Sequence, residues 1–251
     1  MAATVNDIYR IIDGFAPFDT QEEWDNAGIL AGRGEGTVNR VLVALDVTEG
    51  AVAEAKALGC ELLVTHHPIL FHARKNLRED DPEGRALCAL VRAGLAHIAA
   101  HTNFDQAAGG VNDVLAGLLG LTQVEALPGG LRGGRFGGTL AQLCGRAERA
   151  LGAVVRPYGD PGAPIERLAV CGGAGGGLWR TAWEAGYDGY LTGEIRHDQA
   201  LDAAAFGMKL AEAGHWATEH PSVKELRNAL QNGLDALQYN VMVFESAYTP
   251  F

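Results

Sequence analysis

Residues 61–75 read ELLVTHHPILFHARK, and this stretch decides the expected fold. The apolar run at residues 62–64 is typical of a short buried strand, and it ends at the adjacent histidines His66 and His67. Because Pro68 forces a turn, both imidazoles are expected to project past the carboxyl end of that strand. In open α/β sheets ligands bind at that edge, although two histidines that only bond backbone carbonyls would give the same pattern.

Strands and helices alternate on both sides of this stretch. Residues 41–45 form a continuous apolar run, which predicts a strand covered on both faces, and residues 49–58 predict a helix that leads to the next strand. A strand, a helix and a strand in succession are typical of a parallel βαβ unit. Helix 83–92 and strand 96–100 repeat the pattern. We therefore expect an α/β fold with largely parallel sheets.

A glycine-rich connection is expected to separate two α/β halves. Residues 127–138 read LPGGLRGGRFGG, a composition typical of a turn or linker. The predicted halves are an N-terminal one, residues 1–126, and a C-terminal one, residues 127–251. Further strands are predicted in the second half at residues 167–171, 187–191, 208–211 and 239–244.

Composition and charge limit the function classes. The chain has 251 residues and a formal net charge of -11, which argues against general binding to nucleic acid or to an anionic membrane surface. No apolar run reaches membrane-spanning length and the N-terminus lacks a signal-peptide core, so we expect a soluble, cytoplasmic protein. The cysteines are widely spaced and form no CxxC, which predicts small reduced core residues. They are Cys60, Cys88, Cys144 and Cys171.

Three predicted strand ends carry unusual pairs of side chains. The pairs are His66 with His67, His101 with Asp105, and His215 with Glu219. Because the carboxyl ends of parallel strands lie on one edge of a sheet, we expect the pairs to converge on a metal site there. The last pair is four residues apart, so one helical turn would aim both side chains at the same point. In the alternative, each pair is hydrogen-bonded locally and unrelated to the others.

Imidazole and carboxylate ligands together suit Zn, Mn, Fe or Ni. Three imidazoles and two carboxylates would exceed the three protein ligands typical of a single catalytic zinc. The surplus predicts two divalent ions about 3.5 to 4 Å apart that clamp a bridging water. His101 would then be a catalytic acid or base, or would orient a ligand through a hydrogen bond. Simple packing at its strand end is the alternative.

These motifs also carry a family resemblance. WDNAG, LLVTHHPILF, HTNFD, YLTGE and AGHWATE run in order from Trp24 to Glu219 and resemble the Nif-three-like family of dinuclear-metal proteins. Many members of that family are named type-two GTP cyclohydrolases. The resemblance implies two interlinked α/β halves, a ring-shaped homo-hexamer and no inserted middle domain, since the connection after Leu127 is short. The metal ligands that it implies are His66, His67, Asp105, His215 and Glu219.

Three further features stay open at this level. After YLTGE the chain departs from the register of many relatives, which leaves the roles of His197 and Asp198 undecided. Glycine run 172–177 is either a packing turn or a nest of backbone N–H groups for an anion. A cluster of basic residues beyond the paired histidines is either a phosphate-binding patch or a solvated loop. Its members are His72, Arg74, Lys75 and Arg78.

The leading hypothesis is a dinuclear metal-dependent hydrolase that acts on a small, nucleotide-like substrate, phosphorylated substrates included. GTP ring opening is what the resemblance implies, and nothing in the sequence reads a guanine. The competing hypothesis is a non-catalytic metal-binding hexameric ring with a partner-binding or metal-handling role, since it would need the same ligands.

Overall fold

The computed structural model describes residues 2–249 and alternates helices with strands. The α-helices are α1 (Val5–Phe15), α2 (Glu49–Ala57), α3 (Pro82–Arg92), α4 (Thr102–Gln106), α5 (Val111–Leu118), α6 (Leu140–Leu151), α7 (Trp179–Glu184), α8 (His197–Ala205), α9 (His215–Glu219) and α10 (Pro221–Ala236). The strands are β1 (Ala3–Thr4), β2 (Gly28–Ala31), β3 (Thr37–Val38), β4 (Arg40–Ala44), β5 (Leu62–Thr65), β6 (Ala96–Ala99), β7 (Thr122–Ala126), β8 (Arg132–Thr139), β9 (Arg156–Tyr158), β10 (Pro164–Cys171), β11 (Gly189–Thr192), β12 (Lys209–Glu212) and β13 (Met242–Glu245). The predicted α/β class is confirmed.

The chain forms two compact units whose limits differ from the predicted halves. The first comprises Met1–Ala107 and Val223–Phe251, and the second comprises Ala108–Ser222. The expected boundary after residue 126 lies inside the second unit, because β7 pairs with β8 there and makes the glycine-rich connection part of a hairpin. The last strand, β13, pairs with β4, so the chain returns to the first unit at its end.

The first unit is built on a five-stranded sheet in the order β13-β4-β5-β6-β2. Strands β13, β4, β5 and β6 are parallel, as the βαβ pattern predicts, and only the edge strand β2 runs antiparallel to its neighbour. Leu42 and Leu63 of the sheet pack against Val52 and Ala55 of α2, all of them buried. This packing fixes the carboxyl ends of β4, β5 and β6 at one edge of the sheet.

The second unit has a six-stranded sheet in the order β7-β8-β10-β11-β12-β9. Its centre, β10-β11-β12, is parallel, and the outer strands are antiparallel to their neighbours. One face is covered by α6, whose buried Leu140 and Leu143 belong to the same apolar cluster as Leu168 and Leu191 of the sheet. Thr139 begins α6 by accepting a hydrogen bond from the Gln142 backbone N–H, which caps the helix.

Strand β8 was not predicted, because its sequence, RGGRFGGT, is rich in glycine and glycine is depleted in strands. The structure shows why a glycine is needed in it. A Cβ on Gly133 would lie 2.2 Å from the ring of Tyr187, so any larger residue would displace that buried tyrosine. Close packing of an aromatic ring on the backbone therefore accounts for a glycine that reads as a linker residue.

Helix α1 begins at a reciprocal capping box formed by Thr4 and Asp7, and it buries Ile8 and Ile12. All four cysteines are buried and none forms a disulfide. Among residues 2–249, no helix combines the length and the apolar composition needed to cross a bilayer.

Candidate metal centre

The paired histidines directly follow β5, at the carboxyl edge of the first sheet. The backbone N–H of His66 donates to the carbonyl oxygen of Ala44, and that of His67 donates to the carbonyl oxygen of Leu45. Pairing with the neighbouring chain segment thus continues past the last residue of β5. Both histidines are held by a firm backbone, and each imidazole is then oriented through its own ring nitrogen.

His66, His67 and His101 form one group in the first unit. Their ring centroids lie 5.0 Å (His66 to His67), 5.1 Å (His66 to His101) and 5.6 Å (His67 to His101) apart. Each ring offers one nitrogen, and these three nitrogens lie within 4.8 Å of one another, close enough to hold a common metal ion. His66 is almost fully buried, while the other two are partly exposed.

Oxygen atoms bond Nδ1 of all three imidazoles. The Nδ1 atom of His66 lies 2.9 Å from the carbonyl oxygen of Ala100, and that of His67 lies 2.7 Å from Oδ1 of Asp46. The Nδ1 atom of His101 lies 2.7 Å from Oδ1 of Asp25. Because carbonyl and carboxylate oxygens only accept, each neutral ring carries its proton on Nδ1, which makes Nε2 the nitrogen suited to ligate a metal.

Asp105 adds a carboxylate to this group. It lies on the single-turn helix α4, and its Oδ1 atom is 3.7 Å from Nε2 of His66. The backbone N–H of Asp105 donates to the carbonyl oxygen of His101, so the turn that follows β6 fixes the spacing between these two side chains. The predicted residues His66, His67 and Asp105 are thus close together in the first unit.

His101 lies within the histidine group, in a position equivalent to the other two imidazoles. The sequence predicts a catalytic or orienting role for this residue, outside the ligand set. Its Nδ1 is already bonded to Asp25 and its ring is as close to His66 as the ring of His67 is. His101 thus shares the arrangement of the other two imidazoles, and Asp25 orients its ring.

Asp25, within the motif WDNAG, supports this histidine group, although the sequence alone does not mark it as part of the site. Its side chain is 0% exposed and accepts hydrogen bonds from His101 Nδ1 and from the backbone N–H and hydroxyl of Thr102. Burial by itself raises the pKa of Asp25, but the bonds from His101 and Thr102 outweigh it and lower the pKa to about 2. The carboxylate is therefore ionised and orients the His101 ring through Nδ1.

Replacing Asp25 with asparagine is expected to weaken Zn²⁺ binding by about 10- to 100-fold, the usual effect of removing a group that orients a ligand. The amide keeps the shape but lacks the negative charge that supports His101. Competition with a chromophoric chelator measures the affinity. Glu23→Gln, an exposed change in the same loop, serves as the matched control. An Asp25→Asn affinity equal to that of the control would contradict the role given to Asp25.

A network of hydrogen bonds from His97 through Thr65 supports the backbone of His67. Nε2 of His97 lies 2.8 Å from the Thr65 hydroxyl, which donates to the carbonyl oxygen of His67 at 2.6 Å. The hydroxyl proton is used in that bond, so His97 donates from Nε2. Burial of this fully enclosed ring lowers the pKa of His97 from its ordinary value of 6.5 to about 3.

This shift predicts a pH-dependent loss of stability. Because the folded-state pKa of His97 lies below the unfolded value, protons bind the unfolded chain first as the pH falls from 6.5 towards 3. His97 thereby removes up to about 1.4 kcal/mol of unfolding free energy per pH unit in this window. Urea unfolding at pH 7, 6 and 5 should give a shallower pH slope for His97→Leu than for the parent or the exposed-residue control His72→Ala. Equal pH slopes in all three proteins would refute this contribution of His97 to stability.

The remaining predicted ligands form a pair in the second unit. His215 and Glu219 lie at the two ends of α9, and Nε2 of His215 is 3.0 Å from Oε2 of Glu219. On its other side, Nδ1 of His215 lies 3.2 Å from Oε1 of Glu194, which the sequence analysis does not single out. The four-residue spacing therefore brings imidazole and carboxylate together as predicted.

Glycines leave room for this pair. A Cβ on Gly173 would lie 2.0 Å from Oε1 of Glu219, and one on Gly176 would lie 2.6 Å from the carbonyl oxygen of Glu194. The backbone N–H of Gly172 already donates to Asn112, and that of Gly173 donates to the Thr218 hydroxyl. The structure thus favours the packing turn over the anion nest for run 172–177.

Acidic residues accompany the predicted basic cluster. Arg74 forms ion pairs with Asp81 and Glu83, and Arg78 pairs with Asp80. These pairs neutralise both guanidinium groups, so the segment does not present the concentrated positive charge that a phosphate patch needs.

His197 and Asp198, whose roles the sequence leaves undecided, lie at the start of α8. Asp198 pairs with Arg196, and the side chains of both are more than half exposed. His197 is exposed as well. These residues form a solvated helix start.

The predicted site residues therefore form two groups, one in each unit. Imidazole nitrogens and carboxylate oxygens in both groups match the donors that divalent transition metals prefer, and the orienting acceptors complete the expected surroundings of such ligands. The residues present fit a metal centre. Convergence of the two groups on one centre stays a prediction.

Comparisons with known proteins identify related sequences. The sequence profile of the Duf34/NIF3 (NGG1p interacting factor 3) family matches residues 3–250. A protein of Streptomyces coelicolor named "GTP cyclohydrolase 1 type 2 homolog" is 36% identical over 233 residues, which is 86% of this chain and 82% of the relative. A protein of the same name from Lactococcus lactis subsp. lactis is 31% identical over 250 residues, covering 96% of this chain and 95% of the relative.

The fold has solved counterparts as well. The crystal structure of a Staphylococcus aureus hypothetical protein superposes with a TM-score of 0.93 at 27% identity, covering 99% of this chain and 98% of that one. A Bacillus cereus protein related to NIF3 has the same TM-score at 22% identity, covering 100% and 99% of the two chains, which shows a shared fold.

Proposed function

Because this chain belongs to the Duf34/NIF3 family, we propose that it is a dinuclear metal-dependent hydrolase acting on a small, nucleotide-like substrate. The observation that carries the proposal is the arrangement of His66, His67 and His101. All three rings have Nδ1 bonded to oxygen and offer a nitrogen to a common point. A scaffold that fixes three imidazoles in this way is typical of a metal centre.

Six side chains would hold two divalent ions, with Zn, Mn, Fe and Ni as the metals suited to them. The proposed ligands are His66, His67, His101, Asp105, His215 and Glu219. Six donors shared between two ions correspond to three each, the number typical of catalytic zinc, where one position stays open. Ions bound there would lower the pKa of water towards 7 and polarise an oxygen of the substrate.

Other side chains would tune these ligands without touching the metal. Asp46 supports His67, Asp25 supports His101, and Glu194 supports His215, each through a carboxylate oxygen near Nδ1. A negative charge at that position raises the basicity of the ligating nitrogen and fixes the ring plane. The chain would thus hold the ligands ready before any substrate arrives.

The substrate class comes from the relatives. Two similar proteins carry the name "GTP cyclohydrolase 1 type 2 homolog", so hydrolytic ring opening of GTP is the first reaction to test. A second candidate is a non-catalytic metal-binding ring with a partner-binding or metal-handling role. It is favoured by the pairing of Arg74 and Arg78 with carboxylates, which leaves these two cations unsuited to clamp a phosphate.

A turnover screen separates the two candidates. The metal-loaded protein is incubated with GTP, other nucleotides and simple phosphoesters, and products are followed by chromatography. The hydrolase proposal expects turnover that is lost in Asp105→Ala and kept in the control Glu23→Gln. Absence of turnover across the panel, in protein that holds two metal ions per chain, would reject the hydrolase and favour the binding ring.

We also propose the homo-hexamer that the family resemblance implies. Light scattering on the full chain at micromolar concentration should then report six times the chain mass. A monomer at that concentration would reject the assembly and leave the metal proposal standing.

A further inference from the structure

Two aromatic side chains beside the histidine group are exposed to solvent. Trp24 is 61% exposed and Phe71 is 40% exposed. Large aromatic rings contribute most to stability when they are buried, so exposed rings next to a reactive site call for a functional explanation. Both belong to segments that carry site residues, one beside Asp25 and the other four residues after His67.

The loops that carry these rings are fixed in place. Asp25 is anchored by His101 and Thr102, and the side-chain amide of the next residue, Asn26, donates to the carbonyl oxygen of Leu70 at 2.7 Å. This bond ties the Trp24 loop to the loop that carries Phe71. The two rings are therefore held on short, anchored segments although they face solvent.

The rings form a perpendicular pair next to His101. Their centroids are 5.9 Å apart with an interplanar angle of 76°, and they lie 6.3 Å (Trp24) and 5.8 Å (Phe71) from the centroid of the His101 ring. Two rings at right angles make a corner. A third flat ring can stack on one of them and direct its edge at the other.

A cavity of about 440 Å³ adjoins the same corner, with Phe71 and His67 in its lining. Its volume falls within the usual range for small-molecule sites. Tyr248 adds a further aromatic ring to the lining, and Asp46 and Glu83 add carboxylates. Aromatic faces suit a flat ring, and the described residues that line this cavity include no Lys or Arg to bind a phosphate.

We infer that Trp24 and Phe71 are the stacking residues that bind a planar, nitrogen-rich heteroaromatic ring of the substrate beside the metal ligands. The inference rests on the proposed function for the nearness of the reaction, and it names the recognised part as the ring. Stacking accepts any flat ring, so these residues set the substrate class.

A second exposed aromatic pair provides the contrast. Trp183 and Phe206 in the second unit have exposed fractions of 40% and 43% and also lie edge to face, at 5.0 Å. The ring of Phe206 also contacts that of the buried Trp179, and Arg180 stacks on Phe206, so this pair lies over the apolar cluster between α7 and α8. Trp183→Leu is thus a matched control for Trp24→Leu.

Binding of free nucleosides tests the inference without turnover. Guanosine, adenosine, cytidine and ribose 5-phosphate are titrated by calorimetry into zinc-loaded and into metal-free protein. At least one nucleoside should bind and ribose 5-phosphate should bind much more weakly. Trp24→Leu and Phe71→Leu should each weaken nucleoside binding about tenfold or more. Trp24→Phe, which keeps an aromatic ring, should retain most of the parent affinity. The control Trp183→Leu should bind nucleosides as the parent does.

Zinc content and light scattering are recorded for every variant, which separates this inference from the proposed function. A parent protein that binds nucleosides but no metal would reject the metal centre and leave the stacking residues supported. Nucleoside binding unchanged in Trp24→Leu and Phe71→Leu would overturn the inference, as would a parent that binds no nucleoside in either form. Dissociation of the assembly in Trp24→Leu, with nucleoside affinity intact, would make the pair an assembly contact and overturn it too.

Discussion

Replacement of His66 by alanine is expected to lower the zinc affinity by well over 100-fold and to abolish any metal-dependent turnover. Loss of a group that only orients a ligand costs about 10- to 100-fold, and loss of a direct ligand costs more. His66 contacts both parts of the first-unit group, since its ring lies beside the other two imidazoles and its Nε2 lies 3.7 Å from Asp105. Elemental analysis after dialysis measures the retained metal.

The control for this variant is His72→Ala, which removes an exposed imidazole from the same loop. It should keep the full metal content. Circular dichroism of the metal-free His66→Ala protein checks that the sheet still forms. A folded His66→Ala protein that retains as much zinc as His72→Ala would contradict the assignment of His66 as a ligand.

His101→Ala is expected to lose at least one metal ion together with turnover. The reason is the place of His101 in the histidine group, where its ligating nitrogen lies within 4.8 Å of those of His66 and His67. The sequence-based prediction differs, because a catalytic or orienting histidine would leave both metals in place and remove only turnover. Metal content per chain, measured beside activity, decides between the two roles.

Retention of two ions by His101→Ala with loss of turnover would restore the catalytic role, and retention of both properties would reduce His101 to a packing residue. His101→Gln adds a useful comparison, since the amide can still accept a bond but is a poor zinc ligand. It should behave as the alanine variant does if His101 is a ligand.

Much of the fold follows from local sequence patterns. Apolar runs predict β4, β5 and β6 together with their parallel order, because continuous apolar strands joined by helices allow few other arrangements. Helix α3, Pro82–Arg92, begins one residue before the predicted helix 83–92 and ends where predicted. The family resemblance is confirmed by a sequence profile that spans residues 3–250.

Local sequence patterns do not identify strands, or the unit they belong to, when their stability depends on distant partners. β9 contains Pro157, which local rules exclude from a strand, yet it lies at a sheet edge where a missing N–H is tolerated. β13 was predicted as a strand, but only pairing with β4 reveals that it belongs to the first unit. No local pattern specifies a partner two hundred residues away in the chain.

The site residues also differ in whether local sequence or distant contacts reveal them. Histidines and carboxylates at strand ends are visible in the sequence, since the chemistry of their side chains is itself the signal. Asp25 and Glu194 act through contacts with His101 and His215, and these contacts exist only in the folded chain. Their positions inside the motifs WDNAG and YLTGE were the one available signal for them.

An anomalous difference map at the zinc edge, from crystals of the zinc-loaded full chain, tests the dinuclear centre directly. We expect two peaks per chain, about 3.5 to 4 Å apart. The six proposed ligands should surround the pair of peaks. They are His66, His67, His101, Asp105, His215 and Glu219. A single peak, or two peaks more than about 10 Å apart with each group binding its own ion, would contradict the dinuclear centre, because metal–nitrogen bonds of about 2.0 to 2.1 Å cannot bridge that distance.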